Sequence, residues 1–431
     1  MARVLITSSR NAGFLLPLLQ IATALTARGD SVWVLNGREF APQIAASGAT
    51  LLVLPYDGTD LVRPLRRDGG VRELGQALRA IFLDPVAIDH EAVMEHVRAL
   101  QIDIVVTEPL FLGASMLGLL PRESRPAVLS IGLFPLPQSS PDTAPYGAGL
   151  APLDGPLNRV RNGLLTAASD AVLRHTLRDF RDEVQRILGV RPTGRLFDLA
   201  FITDAYAHMS VPQFEYPRRR LHPRIRFVGP LPPPPVGELP DWWDYSDPRP
   251  IVHVTQGTYT NDDPTELIVP TIRALADSPV LVVATTGGPD PSVVADAFGG
   301  PLPENVRVTR FLPYHHLLAA AKVVVTNGGF ATVHHALRWG VPMVVSGTSE
   351  DKLEVTARVA WAGVGVNLGT QRPGPEAIRE AVLRVLGDDS MRRAGVRLGA
   401  LIARTDAMRD ILAMVDDLMR TAPQPHTDAV G

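Results

Sequence analysis

The stretch from Lys322 to Lys352 concentrates the residue types able to do chemistry. Val323 to Thr326 is a short apolar, β-branched run, the pattern of a strand buried in a parallel sheet. Asn327-Gly328-Gly329 interrupts it, and Phe330 to Trp339 reads as a helix with Thr332 in its first turn and Gly340 at its C-terminal cap. Val341 to Val345 is a second strand, ending in the polar turn Gly347-Thr348-Ser349-Glu350-Asp351-Lys352. A helix that starts on two glycines presents free N–H groups and the positive end of its dipole, which suits a phosphate or diphosphate. The plainer alternative is a tight strand-to-helix turn that only packs. Other chemistries are poorly served. The chain has no cysteine, which excludes thiolate catalysis, disulfides and Cys-ligated zinc. His315-His316 and His334-His335 are adjacent pairs, so each gives at most one ligand to a site, and no metal is expected. No H-E-x-x-H, Walker or Ser-His-Asp pattern occurs.

The segment resembles the nucleotide-sugar signature of the GT1 glycosyltransferases, which reads H-G-G-x-x-T/S, a helix, G-V-P and a terminal D-Q. Gly328, Gly329, Thr332, Gly340-Val341-Pro342 and Asp351 fall at matching positions, while Asn327 replaces the histidine and Lys352 the glutamine. The T-N-G-G and E-D-K forms are closest to the bacterial macrolide-type subgroup. The resemblance implies a UDP- or dTDP-sugar as co-substrate, no cofactor, and a small-molecule acceptor of natural-product type. It implies that Gly257 and Thr258 lie beneath the donor phosphates, that Phe311 stacks on the base, and that the backbone of Leu312 reads the base edge. Asn327 would bond phosphate, Asp351 the sugar hydroxyls, and Lys352 would bring a cation to the sugar. His335 stands where plant members place a glutamate on the ribose, so a dTDP-sugar is compatible.

Inverting members of the family remove the acceptor proton with the histidine of G-H-x-x-P, oriented by a later carboxylate. Here the loop reads Gly13-Phe14-Leu15-Leu16-Pro17, and phenylalanine cannot accept a proton. Glu108 stands where the orienting carboxylate would be. Three readings stay open. Glu108, or an acceptor-side group such as His90 or Asp142, is the base; or the acceptor is acidic enough to ionise unaided; or the protein binds without catalysing, as an auxiliary member. Asn11, Phe14, His90 and Asp142 are assigned to the acceptor side. A UDP-sugar epimerase is a further alternative, since it too sets a sugar nucleotide between two such halves.

These residues need two scaffolds. Arg3–Thr7, a helix and Val32–Leu35 open a β-α-β unit without G-x-G-x-x-G spacing, and Ile102–Thr107 and Ala127–Ile131 continue it. Pro135 to Pro156 is a long Pro/Gly/Ser-rich loop, for which acceptor contact is favoured over disorder, and Leu157 to Leu188 reads as two long helices. The run Leu231-Pro232-Pro233-Pro234-Pro235 marks a stiff linker. The expected fold is α/β, of GT-B architecture: two Rossmann-like domains facing a cleft. Residues 1–228 form the acceptor domain, 229–249 the linker, 250–405 the donor domain, 406–420 a helix crossing back to the first domain, and 421–431 a disordered tail. With 431 residues and 45% hydrophobic content, two sizeable cores need no metal or disulfide. The net charge of −3 gives no basic footprint for nucleic acid. No apolar run is long enough to span a membrane, and the N-terminus lacks a signal pattern, so a cytoplasmic location is expected. A homodimer is left open.

Overall fold

A computed structural model describes residues 1–56, 78–80, 83–233, 238–257 and 263–420. Thr258, part of the proline linker and the tail 421–431 lie outside the described residues.

Two parallel sheets carry the chain. The first has seven strands: β1 (Arg3–Thr7), β2 (Ser31–Asn36), β3 (Thr50–Val53), β4 (Ile104–Thr107), β5 (Ala127–Gly132), β6 (Ala205–His208) and β7 (Ile225–Phe227). Their order is β3-β2-β1-β4-β5-β6-β7. The second has six: β8 (Ile251–Thr255), β9 (Leu281–Thr285), β10 (Val306–Thr309), β11 (Ala321–Thr326), β12 (Met343–Val345) and β13 (Gly365–Asn367), in the order β10-β9-β8-β11-β12-β13. Both sheets run outward from their first strand in two directions. The order therefore reverses between β1 and β4 and again between β8 and β11, and a crevice opens there beyond the strands' carboxyl ends. The central strands are apolar on both faces because helices cover both sides. All residues of β4, β5 and β8 are buried. At the top of β1 and β4, Thr7 pairs with Thr107 in register and their hydroxyls bond at 2.8 Å.

Leu157–Leu188 is one 32-residue helix rather than two, ended by Gly189 in the left-handed region. No proline interrupts it, and its single interior glycine, Gly163, does not break it. The last helix, Ala407–Arg420, buries Ile411, Met414 and Val415 in the same apolar cluster as Ile104, Val106 and Leu129 of β4 and β5. It thus lies on the first sheet although it follows the second in sequence. Arg28–Asp416 (2.9 Å) and Arg226–Asp417 (3.3 Å) edge that contact and, being largely exposed, add little. Trp242 and Trp243 pack against this shared core, as packing residues of the linker should. Among the described residues no helix is long and apolar enough to cross a membrane.

Candidate functional site

On the second sheet, β8 ends at Gln256-Gly257 and β11 at Asn327-Gly328-Gly329. The Asn327 amide donates to the Gln256 carbonyl at 2.6 Å, tying the two turns together across the strand-order reversal. Gly328 has φ +82, and a Cβ there would stand 2.5 Å from the Thr356 methyl. A side chain would meet both backbone strain and a clash. A Cβ on Gly329, by contrast, would meet nothing closer than 3.8 Å, so the space above the helix start is open. The helix Phe330–Arg338 begins there with no side-chain cap. Its first N–H groups and the half-buried Thr332 face that space, the combination that binds an anion.

The turn after β12 closes the other side. Gly347 lies so close to the Asn327 carbonyl that a Cβ would approach it to 2.1 Å. Glu350 adopts φ +55, an uncommon conformation for a non-glycine residue, and turns the chain so that Asp351 precedes the helix Lys352–Trp361. Burial raises the Asp351 carboxyl to about 6, with Lys352 opposing. Lys352 is itself buried and paired with Glu350, so its charge is answered within the turn. Phe311 follows β10 with 38% of its surface exposed, whereas the Leu312 side chain is in the core. His335 packs edge-on against Tyr314, with ring centroids 5.5 Å apart, and burial lowers its pKa to about 3.

On the first sheet, Glu108 follows β4 and is fully buried. Its carboxylate accepts from the Ser9 N–H (3.2 Å) and the Leu110 N–H (2.6 Å), so it fastens the loop after β1. Burial raises its pKa, against these hydrogen bonds. Asn11 caps the helix Ala12–Ala27, accepting from the Gly13 N–H at 2.7 Å. Phe14, partly exposed on that helix, meets Phe134 edge-on at 6.3 Å. The row continues through Tyr146 (6.0 Å from Phe134) to Phe197 (5.0 Å from Tyr146). Phe134 and Tyr146 flank or lie in the long loop 133–156, and the Tyr146 hydroxyl feels the charges of Asp351 and Glu354 from the donor side. The two halves meet beside it, where the Gly147 and Gly149 N–H groups bond the Glu354 carboxylate.

His90 is buried with Nδ1 against the Gly113 carbonyl at 2.9 Å, and burial lowers its pKa. Asp142 accepts from the Arg219 N–H (2.9 Å) and pairs with Arg159 (3.1 Å), which hold it below the usual carboxylate range. It is committed to securing the loop, and an acid held ionised by two partners is a poor base.

Several residues here carry no signal in the sequence. Asp89, next to His90, is buried and accepts from the Tyr56 hydroxyl at 2.6 Å; burial lifts its pKa to about 7, helped by the charge of Glu108. Glu354, Arg358 and Glu215 form a buried ion chain between the halves. Arg358 bonds Glu215 at 2.9 Å and Glu354 at 2.7 Å, and its guanidinium lies 4.1 Å from the Tyr216 ring centre. Glu354 and Arg358 are spaced as an ordinary surface i,i+4 pair, so nothing short of the fold marks them. Among the described residues, no group of three or more His, Cys, Asp or Glu is arranged to hold a metal ion.

Residues 294–414 match the family described as erythromycin biosynthesis protein CIII-like, C-terminal domain. The chain is 36% identical to the 4'-demethylrebeccamycin synthase of Lentzea aerocolonigenes over 434 residues, covering 97% of this chain and 100% of that one. It is 33% identical to UDP-glycosyltransferase 2 of Phaeomoniella chlamydospora, covering 92% and 91%. The calicheamicin glycosyltransferase CalG4 superposes with a TM-score of 0.74 at 21% identity, covering 98% and 100%.

Proposed function

The chain belongs to the GT1 natural-product glycosyltransferases of GT-B fold, and from that premise we propose that it transfers a sugar from a nucleoside diphosphate, UDP or dTDP, to a flat aromatic acceptor with inversion at the anomeric carbon. One observation carries the donor half of this reading. The helix start over Gly328-Gly329 has no side-chain cap and lies beside Thr332, and the turn that carries Asp351 passes against Asn327 at Gly347. The diphosphate would rest on those N–H groups, and Asp351 would take the sugar hydroxyls. As the acceptor atom bonds to the sugar C1, the bond from C1 to the diphosphate breaks, and the helix start stabilises the departing charge. No divalent metal is needed in this scheme.

On the acceptor side, the row Phe14-Phe134-Tyr146-Phe197 supports a flat aromatic ligand. Glu108 is sealed and bonded to two N–H groups, so its role in this reading is to hold the Ser9–Asn11 loop. The acceptor, a phenol or an imide, then gives its proton to solvent water by its own acidity, and the resulting anion attacks C1. The test combines UDP- and dTDP-sugars with a series of substituted phenols, with product mass and anomeric configuration read out. Turnover should rise with acceptor acidity, and the linkage should be inverted. Rates indifferent to acceptor acidity would remove the unaided-ionisation step. Conversion of the nucleotide sugar without any acceptor would point to an epimerase instead.

A further inference from the structure

The long loop after β5 bonds the second half at Glu354. Gly147 and Gly149 both donate their N–H groups to one oxygen of Glu354, at 2.9 and 2.8 Å. The other oxygen takes Arg358 at 2.7 Å, and the Arg358 Nε–H bonds Glu215 at 2.9 Å. Glu215 in turn accepts from the Leu136 N–H at 2.9 Å, with the His208 ring nitrogen 3.0 Å from the same oxygen. One buried chain of charge thus grips the loop at its beginning, Leu136, and at its middle, Gly147–Gly149. The fit is close at Gly149, which has φ +61 and where a Cβ would stand 2.4 Å from the Leu353 side chain. Leu353 is two residues beyond Asp351, in the first turn of the same helix. Between the gripped points, Tyr146 stands against Phe134 and Phe197.

We propose that Glu354 is a positioning residue for the acceptor: it fastens Tyr146–Gly149 to the donor half, so that Tyr146 forms the part of the acceptor wall next to the transferring sugar and limits which acceptors fit. This rests on the transfer reading above, since the helix that presents Asp351 to the donor also holds the loop that faces the acceptor. Glu354 itself touches neither substrate. Its two N–H partners leave the loop no freedom to slide along the helix, and the glycines allow the approach.

Three measurements on the full chain test it. Hydrogen exchange at the Gly147 and Gly149 amides needs no substrate: both are slow in the unaltered protein and fast in Glu354→Ala. In Glu354→Gln the amide oxygen still accepts both bonds, and protection largely returns. In transfer assays, Glu354→Ala raises acceptor KM by roughly 10- to 100-fold, the scale of an ångström-level misplacement. Nucleoside diphosphate Kd stays within about two-fold, which separates positioning from loss of fold. Gly149→Ala leaves every charge in place yet raises acceptor KM, and Gly149→Ala combined with Leu353→Ala recovers part of the loss. Amides that exchange alike with and without Glu354 overturn the proposal. So does a folded Gly149→Ala whose acceptor KM is unchanged, or a double variant no better than the single one. A chain that transfers nothing, yet loses amide protection in Glu354→Ala, keeps the fastening and removes the transfer reading alone.

Discussion

Replacing Arg358 by Met should weaken the contact between the two halves and lower the melting temperature. The guanidinium is essentially unexposed and donates to Glu215 at 2.9 Å, to the Glu354 carboxylate at 2.7 Å and to the Glu354 carbonyl at 3.0 Å. Met keeps much of the volume but leaves two buried carboxylates without their common cation. Removing one partner of a buried ion pair costs about 3–5 kcal/mol, because the uncompensated charge stays buried. At about 2–4 °C per kcal/mol for a medium-sized domain, melting falls by roughly 6–20 °C, nearer the lower figure for a chain this long. Adding Glu215→Gln and Glu354→Gln removes the orphaned charges, and more than half of the loss should return.

The pH dependence gives a sharper check. Burial by itself would raise Glu215, but Arg358, His208 and Arg218 outweigh it and hold the carboxyl well below its ordinary range. A depressed carboxylate contributes stability that is complete above the unfolded value, near ~4.3 for Glu, and is lost as pH falls below it. Without Arg358 the balance shifts toward burial, and the penalty then acts above the unfolded pKa and is relieved on acidification. The gap between the parent and Arg358→Met should therefore be widest at neutral pH and narrow toward acid. Thermal melts in matched buffers from neutral to mildly acidic pH read it directly. A gap independent of pH, or a shift below ~2 °C, would refute the argument that charge burial governs this interface.

Thr332→Val should weaken nucleoside diphosphate binding by about 1–3 kcal/mol in calorimetry, the cost of an unmet polar partner; unchanged affinity moves the diphosphate elsewhere. Glu108→Gln leaves one of the Ser9 and Leu110 N–H groups facing an amide NH₂, so acceptor KM should rise while turnover on acidic phenols changes little. A fall of ~10² to 10⁴ in turnover on every acceptor would instead make Glu108 the base. Phe14→His should add activity toward aliphatic alcohols, and no gain there means the loop geometry differs from that of histidine-bearing relatives. Activity should survive EDTA, and restoration by magnesium or manganese after its loss would contradict the metal-free scheme.

The fold was legible because its strands are short β-branched runs that end in glycine turns, and repetition of that unit allows little besides a doubly wound sheet. The glycines of the candidate donor turn were legible for a similar reason: Gly328 lies against the Thr356 methyl with a positive φ and Gly347 against the Asn327 carbonyl, and such glycines survive as spacing. The acceptor side gave much less. Asp89 lies on the helix Val86–Leu100 beside His90 and Glu91, with nothing in the spacing to mark it, yet it is buried against Tyr56. Glu354 and Arg358 read as a surface pair, yet their partner Glu215 is far away in sequence and arrives only when the halves close. Charged residues whose burial depends on long-range contact leave no periodic trace. The continuous helix Leu157–Leu188 was missed for a related reason: a helix with few buried positions has little apolar period by which to judge its length.

In the proposed reading, Phe14 and the buried network beyond it serve the same acceptor. On that reading the Phe14 ring supplies no base and instead meets Phe134 edge-on, in the row that reaches Tyr146. General-base help is worth ~10² to 10⁴-fold, and an acidic acceptor recovers it at no cost to the protein. What such an acceptor still requires is to be held with its ionised atom in line with C1, since orientation alone contributes several kcal/mol. The rigidity supplied by Glu354, Arg358 and Glu215 is then placed where it matters, in the loop that bears Tyr146 rather than around a proton-transfer group. Asp89 and Glu108 remain beneath the first loop as acids raised by burial, close enough to influence one another but fenced from the cleft. In the proposed reading they hold the chain around the first loop, through Ser9, Leu110 and Tyr56, and take no proton from the acceptor.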